Sequence, residues 1–149
     1  MPHDPLAVWA TMEMKTWPEA YWFAHVPPTM RDRVVAMLSA PSKAYAAVNQ
    51  DQNGFSLVVD EARWQTFFGD AGDIEKYGPV KVISTDSELP FDVTGFIQAA
   101  LRPINGAGYK AAPQCGIMHD HFIVPAGDIG KVAEIFASFR ARAQSGAAS

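Results

Sequence analysis

Strand-like and helix-like runs follow one another in the same order twice, and this alternation is what most limits the folds open to the chain. Tyr21-Trp22-Phe23-Ala24-His25-Val26 is dense in aromatic and branched residues, as a strand requires, and Pro27-Pro28 stops it. Thr29 then stands where a helix cap belongs. Met30, Val34, Met37 and Leu38 recur at helical spacing up to Ser39 while Arg31, Asp32 and Arg33 face water, and Pro41 ends the run. Ala44 to Val48 and Phe55 to Val59 flank a polar stretch ending in Asn53-Gly54, a pair that tolerates positive φ and predicts a hairpin. The order so far is β-α-β-β.

Glu61 to Phe68 reads as a further helical piece carrying Trp64, Phe67 and Phe68, after which Gly69-Asp70-Ala71-Gly72-Asp73 loosens the chain and marks the best boundary. The second half repeats the order. It has a strand near Val80 to Ser84, a helix from about Asp92 to Ile104, the turn Asn105-Gly106-Ala107-Gly108, and strands at Tyr109 to Cys115 and His121 to Val124. Asp128 then caps a last helix through Arg142, with Ile129, Val132, Ile135, Phe136 and Phe139 on one stripe. The expected organisation is a tail over 1–16, a first unit over 17–70, a second over 71–143 and a frayed end over 144–149. The fold class is α+β: two ferredoxin-like units, derived from the βαββαβ pattern, with antiparallel sheets and helices on one face.

One stretch bears directly on function. Leu89-Pro90-Phe91-Asp92-Val93-Thr94-Gly95-Phe96-Ile97 leaves a strand through a proline turn and opens a helix. The first N–H groups of such a helix lack intrahelical partners, and with the positive end of the helix dipole they attract a carboxylate or phosphate. Asp92 would serve as the cap and Gly95 would permit close packing.

Composition narrows the classes. Of 149 residues 48% are hydrophobic and 19% charged, which describes a globular chain, and the net charge of −4 with scattered Lys and Arg provides no footprint for nucleic acid or an anionic membrane. No apolar run nears the roughly twenty residues of a membrane-spanning helix, and Met1-Pro2-His3-Asp4-Pro5 lacks the features of a secretion signal, so a cytoplasmic protein is expected. Cys115 is the single cysteine, which fits a reducing compartment and rules out an intrachain disulfide or a multi-cysteine metal site.

The residues Gly78-Pro79-Val80-Lys81-Val82-Ile83, Leu89 to Ile97, Gly106-Ala107-Gly108-Tyr109 and His119-Asp120-His121-Phe122-Ile123-Val124-Pro125 resemble ACT domains of the CASTOR type and the related small bacterial tandem ACT proteins. The resemblance spans roughly Trp17 to Phe139 and is most specific in the second half. It implies an amino-acid-binding regulatory protein, a homodimer acting as an allosteric sensor, with a free amino acid or similar zwitterion held between ACT units. It further implies that backbone around Phe91, Asp92, Val93, Thr94 and Gly95 holds the α-carboxylate, that Pro90, Cys115, Gly116 and Ile117 belong to the ligand site, and that Asp120 reaches a cationic group. The chain departs from the pattern in having Cys115-Gly116-Ile117 where relatives carry a Ser-Thr pair and an aromatic residue, and in Pro113, which interrupts the preceding strand.

Other candidates have plainer readings. His119 and His121 alternate onto one strand face but lack a third ligand at familiar spacing, so neither a metal nor a cofactor is expected. Cys115 reads as a small packed thiol, and Gly106-Ala107-Gly108 follows a helix and is no phosphate loop. Trp9, Trp17, Trp22 and Trp64 are assigned to packing. The protein is therefore expected to be no enzyme. The alternative function is an ACT-fold interaction module, dimeric, that has lost its ligand and docks on a regulated partner. A small enzyme using Cys115 or the His119/His121 pair is the third reading.

Overall fold

The computed structural model describes residues 3–146. In chain order its elements are α1 (Pro5–Thr11), β1 (Met14–Thr16), β2 (Tyr21–Val26), α2 (Arg31–Ser39), β3 (Ala47–Asp51), β4 (Gly54–Asp60), α3 (Glu61–Phe68), β5 (Glu75–Thr85), α4 (Phe96–Gly106), β6 (Ala112–Cys115), β7 (Asp120–Pro125) and α5 (Ile129–Ser145). Two compact units divide them, Trp17–Lys81 and residues 3–16 together with 82–146. β5 gives its first seven residues to the former and its last four to the latter.

In Trp17–Lys81 the strands lie in the order β3-β4-β2-β5, all antiparallel. The β2–β4 register, Tyr21 against Asp60 through Val26 against Phe55, puts Ala24, Val26, Phe55, Leu57 and Val59 on one face. Val34 and Met37 of α2 and Trp64 and Phe68 of α3 bury that face, each large side chain contributing roughly 1.5–3 kcal/mol. Two local devices fix the chain path. Gly54 turns the β3–β4 hairpin at φ +128°, where a Cβ would lie 2.2 Å from the Val26 carbonyl oxygen. Asp60 caps α3 by accepting from the Arg63 amide at 3.1 Å.

The other unit orders its strands β1-β5-β7-β6. β1 runs antiparallel to the end of β5, Met14 against Thr85 and Thr16 against Ile83. Ile83, Phe122 and Val124 present one face, covered by Val8 and Trp9 of α1, Phe96, Ala100 and Ile104 of α4, and Val132, Phe136 and Phe139 of α5.

Several expectations need correction. The stretch taken for a tail forms α1, because Asp4 accepts from the Ala7 amide at 3.0 Å, Pro5 suits the first turn, and burying Trp9 holds the seven-residue helix that propensity alone would not. The division falls within β5 rather than after Asp70, since pairing of Tyr77 with Phe23 and Val80 with Tyr21 keeps 75–81 with the first unit. α4 starts at Phe96 instead of Asp92: Gly95 at φ +82° breaks the run, and its missing side chain leaves the start uncapped. Thr29 sits in a 3-10 turn, Pro28–Met30, and Asp128 makes no side-chain cap to α5. β3 and β6 begin three residues later than expected. At the C-terminus α5 continues to Ser145 and ends at Gly146 in the left-handed region. Ala147 to Ser149 of the expected frayed end, and Met1 and Pro2, lie outside the described residues.

Candidate functional site

The loop from Asp86 to Gly95 leaves the buried end of β5 and is tied down along its length. The Asp86 amide donates to the Glu13 carbonyl at 2.7 Å, the Leu89 amide to the Met118 carbonyl at 2.8 Å, and the Val93 amide to the Pro90 carbonyl at 3.3 Å. Gly95 then turns the chain into α4, whose first internal bond runs from the Ala99 amide to the Gly95 carbonyl at 3.0 Å. The N–H groups of Phe96, Ile97 and Gln98 thus have no intrahelical acceptor and no side-chain cap.

Opposite stands the β6–β7 hairpin. Cys115 and Asp120 are directly paired, and the Gly116 amide donates to the His119 carbonyl at 2.9 Å across the turn. A Cβ at Gly116 would come within 2.8 Å of that carbonyl oxygen, so only glycine fits without a shift. Asp120 is buried, its backbone bound both ways to Thr85: its amide donates to the hydroxyl at 3.0 Å, and the hydroxyl donates to its carbonyl at 3.4 Å.

Between loop and hairpin lies a cavity of about 310 Å³ walled by Leu89, Pro90, Phe91, Val93, Gly95, Phe96, Ile97, Gln98, Cys115, Gly116, Ile117 and Asp120. Its size falls at the lower end of the roughly 300–1,000 Å³ range of small-molecule sites, and its walls are mainly apolar with a few polar groups, as such sites are. Burial raises the Asp120 carboxyl above the usual Asp range, against the lowering pull of the Gly116 amide and the Cys115 thiol. Cys115 is exposed at the hairpin end, not packed as expected, and its thiol is raised, first by partial burial and then by the Asp120 charge, so it is a poor nucleophile.

Of the ten residues singled out in the sequence, Pro90, Phe91, Val93, Gly95, Cys115, Gly116, Ile117 and Asp120 meet around this cavity. Asp92 and Thr94 do not line it. Asp92 Oδ1 instead meets His3 Nδ1 at 2.5 Å, and Thr94 is exposed. Leu89, Phe96, Ile97 and Gln98 complete the walls; their signal is the same stretch, displaced because the helix opens four residues late.

The two histidines go separate ways. His119 Nδ1 donates to the Thr85 carbonyl at 3.0 Å, while His121 Nδ1 lies 2.6 Å from Ser84 Oγ and is held below its usual value by burial and by His119. Among the described residues no three His, Cys, Asp or Glu are grouped to hold a metal ion, and no helix is long and apolar enough to cross a membrane.

No protein-family model matches the sequence, and no curated protein matches it. Solved structures do. A Vibrio cholerae protein of unknown function, described as a possible transport protein, is 20% identical with a TM-score of 0.67, over 89% of this chain and 92% of its own. The ligand-free regulatory subunit of aspartate kinase from Thermus thermophilus is 9% identical with a TM-score of 0.59, over 85% and 97%. The allosteric aspartate kinase of Clostridium acetobutylicum is 9% identical with a TM-score of 0.61, over 86% of this chain and 34% of the enzyme. At such identities the likeness is one of fold, and that fold is ACT-like: α+β, with antiparallel strands and helices.

Proposed function

We propose that this chain is a regulatory protein of tandem ACT type, akin to the CASTOR group, which binds a free amino acid and reports it through a change of shape or assembly. The observation that carries the reading is the cavity between the α4 start and the β6–β7 hairpin. Unpaired helix N–H groups at one wall suit an α-carboxylate, and the Asp120 carboxylate at another suits an ammonium. Leu89, Pro90, Val93 and Ile117 offer the ligand's side chain apolar surface. The tandem reading takes β2-α2-β3-β4-α3-β5 as one unit and the end of β5 with α4-β6-β7-α5 as the other, with β1 as its closing strand. A ligand that binds one arrangement better than another shifts the population toward it, which is all that a sensor of this kind requires. We place it in the cytoplasm, as a homodimer, without catalytic activity. Calorimetry and thermal-shift measurements against the common L-amino acids test the reading. Heat and a raised melting temperature for one of them are expected, and no response to any of them sinks it.

A second reading is favoured by the cavity's rim, where Phe91 is 83% and Ile117 is 70% exposed. Here the fold is an interaction module that has lost its ligand, and those side chains meet a protein surface. Phe91→Ser would then abolish self-association or partner binding, and added amino acids would change neither.

A further inference from the structure

The loop that walls the cavity is held from behind by the N-terminal helix. Trp9, 1% exposed, stacks on Phe96 with centroids 4.1 Å apart and planes 4° from parallel, and its indole N–H donates to the Phe96 carbonyl at 2.7 Å. Phe96 is both the first residue of α4 and part of the cavity wall. Earlier in the loop, Asp92 is held by His3, just ahead of α1. Pro90 lines the cavity and also a depression of about 250 Å³ that is lined by Ala7, Val8 and Thr11 of α1 as well. The loop is therefore a thin partition with the cavity on one side and α1 on the other.

We propose that α1 is a positioning element of this site, Trp9 fixing the α4 end of the partition and His3 its middle so that the α4 donors keep their direction only while α1 is docked. The proposal rests on the reading of the cavity as a ligand site. A buried indole N–H requires an acceptor, and taking the Phe96 carbonyl sets the tilt of the helix's first turn. An effect of α1 docking on occupancy of the cavity is then matched by an equal effect of occupancy on docking, since coupling between binding events is reciprocal.

Amide hydrogen exchange on the whole chain tests this without a ligand. The probes are Leu89, Val93 and Ala99, whose N–H groups donate to Met118, Pro90 and Gly95. Trp9→Phe keeps the ring stack and removes the N–H; His3→Ala and Asp92→Asn alter an exposed pair and spare the core. Each is expected to speed exchange at these three amides by roughly threefold to tenfold, as one lost hydrogen bond allows, with β4 amides unchanged. The reversed pair H3D/D92H is expected to restore protection at Val93. Unaltered exchange in His3→Ala and Asp92→Asn, or a Trp9→Phe effect spread evenly over 82–146, overturns the proposal. Because no ligand is used, failure here is distinct from failure of amino-acid binding.

Discussion

Cys115 and Asp120 face each other at paired positions of the β6–β7 ladder, thiol toward carboxylate. Burial raises both groups, the carboxylate's charge raises the thiol further, and the thiol's hydrogen bond draws the carboxyl partly back. Folded Asp120 thus holds a proton more tightly than an unfolded Asp at about 3.9. Its contribution to stability is complete below about pH 4 and is lost as pH rises through the raised folded value. Asp120→Asn should flatten that stretch of the stability curve in urea melts taken across the acid range. A ligand ammonium needs the carboxylate ionised, so affinity should climb with pH over the same interval, and Asp120→Ala should weaken binding by about 1.5–3 kcal/mol in calorimetry.

Gly116→Ala places a methyl 2.8 Å from the His119 carbonyl oxygen, so the hairpin must open. A loss of about 1–3 kcal/mol is expected in chemical denaturation. Gly106→Ala is the contrasting case. Gly106 lies in the last turn of α4, outside the left-handed region and with open space around it, and the substitution should stabilise by up to about 1 kcal/mol.

Arg63 and Asp60 form a pair at 2.5 Å whose side chains are 11% and 7% exposed. The guanidinium also donates to the Ala44 and Tyr45 carbonyls, which pins the segment ahead of β3. Arg63→Ala strands a buried carboxylate and should remove about 3–5 kcal/mol. The double variant Asp60→Asn with Arg63→Met should recover part of it, since the unpaired charge is gone. Denaturation midpoints of the single and double variants decide.

Tyr45 is buried, and its phenol is pushed up to about 12; Tyr21 is raised further still by burial and its bond to Glu19. Their share of stability is intact below about pH 10, the unfolded phenol value, and is lost as pH rises through the folded values. In an ultraviolet titration these two phenols should ionise only together with unfolding. Tyr45→Phe should move alkaline unfolding to higher pH.

Elements whose signals lie within a few neighbouring residues were legible in the sequence. α3 falls at Glu61–Phe68 as read, since its cap Asp60 and its buried Trp64 and Phe68 are a turn apart. The Asn53-Gly54 turn is local in the same way. The cavity's composition was legible because its two walls are two short segments, but the place where α4 opens was not. Asp92 looked like the cap until His3, distant in sequence, took its carboxylate. α1 was missed for a related reason. Asp4-Pro5 does signal a helix start, yet the seven residues after it are too few for periodicity to register, and what stabilises them is Phe96, Phe136 and Phe139 around Trp9. The division inside β5 leaves no compositional mark because a strand reads the same on both sides of it.

β1 pairs Met14–Thr16 with the end of β5, so α1 and β1, made ahead of Trp17–Lys81, complete a unit whose remaining pieces are made after it. During synthesis those three residues emerge long before any partner exists, whereas Trp17–Lys81 is contiguous and can assemble as soon as it leaves the ribosome. The order of maturation is then the reverse of the order of translation at this edge: β1 is made ahead of β2, β3 and β4 yet finds its place after them.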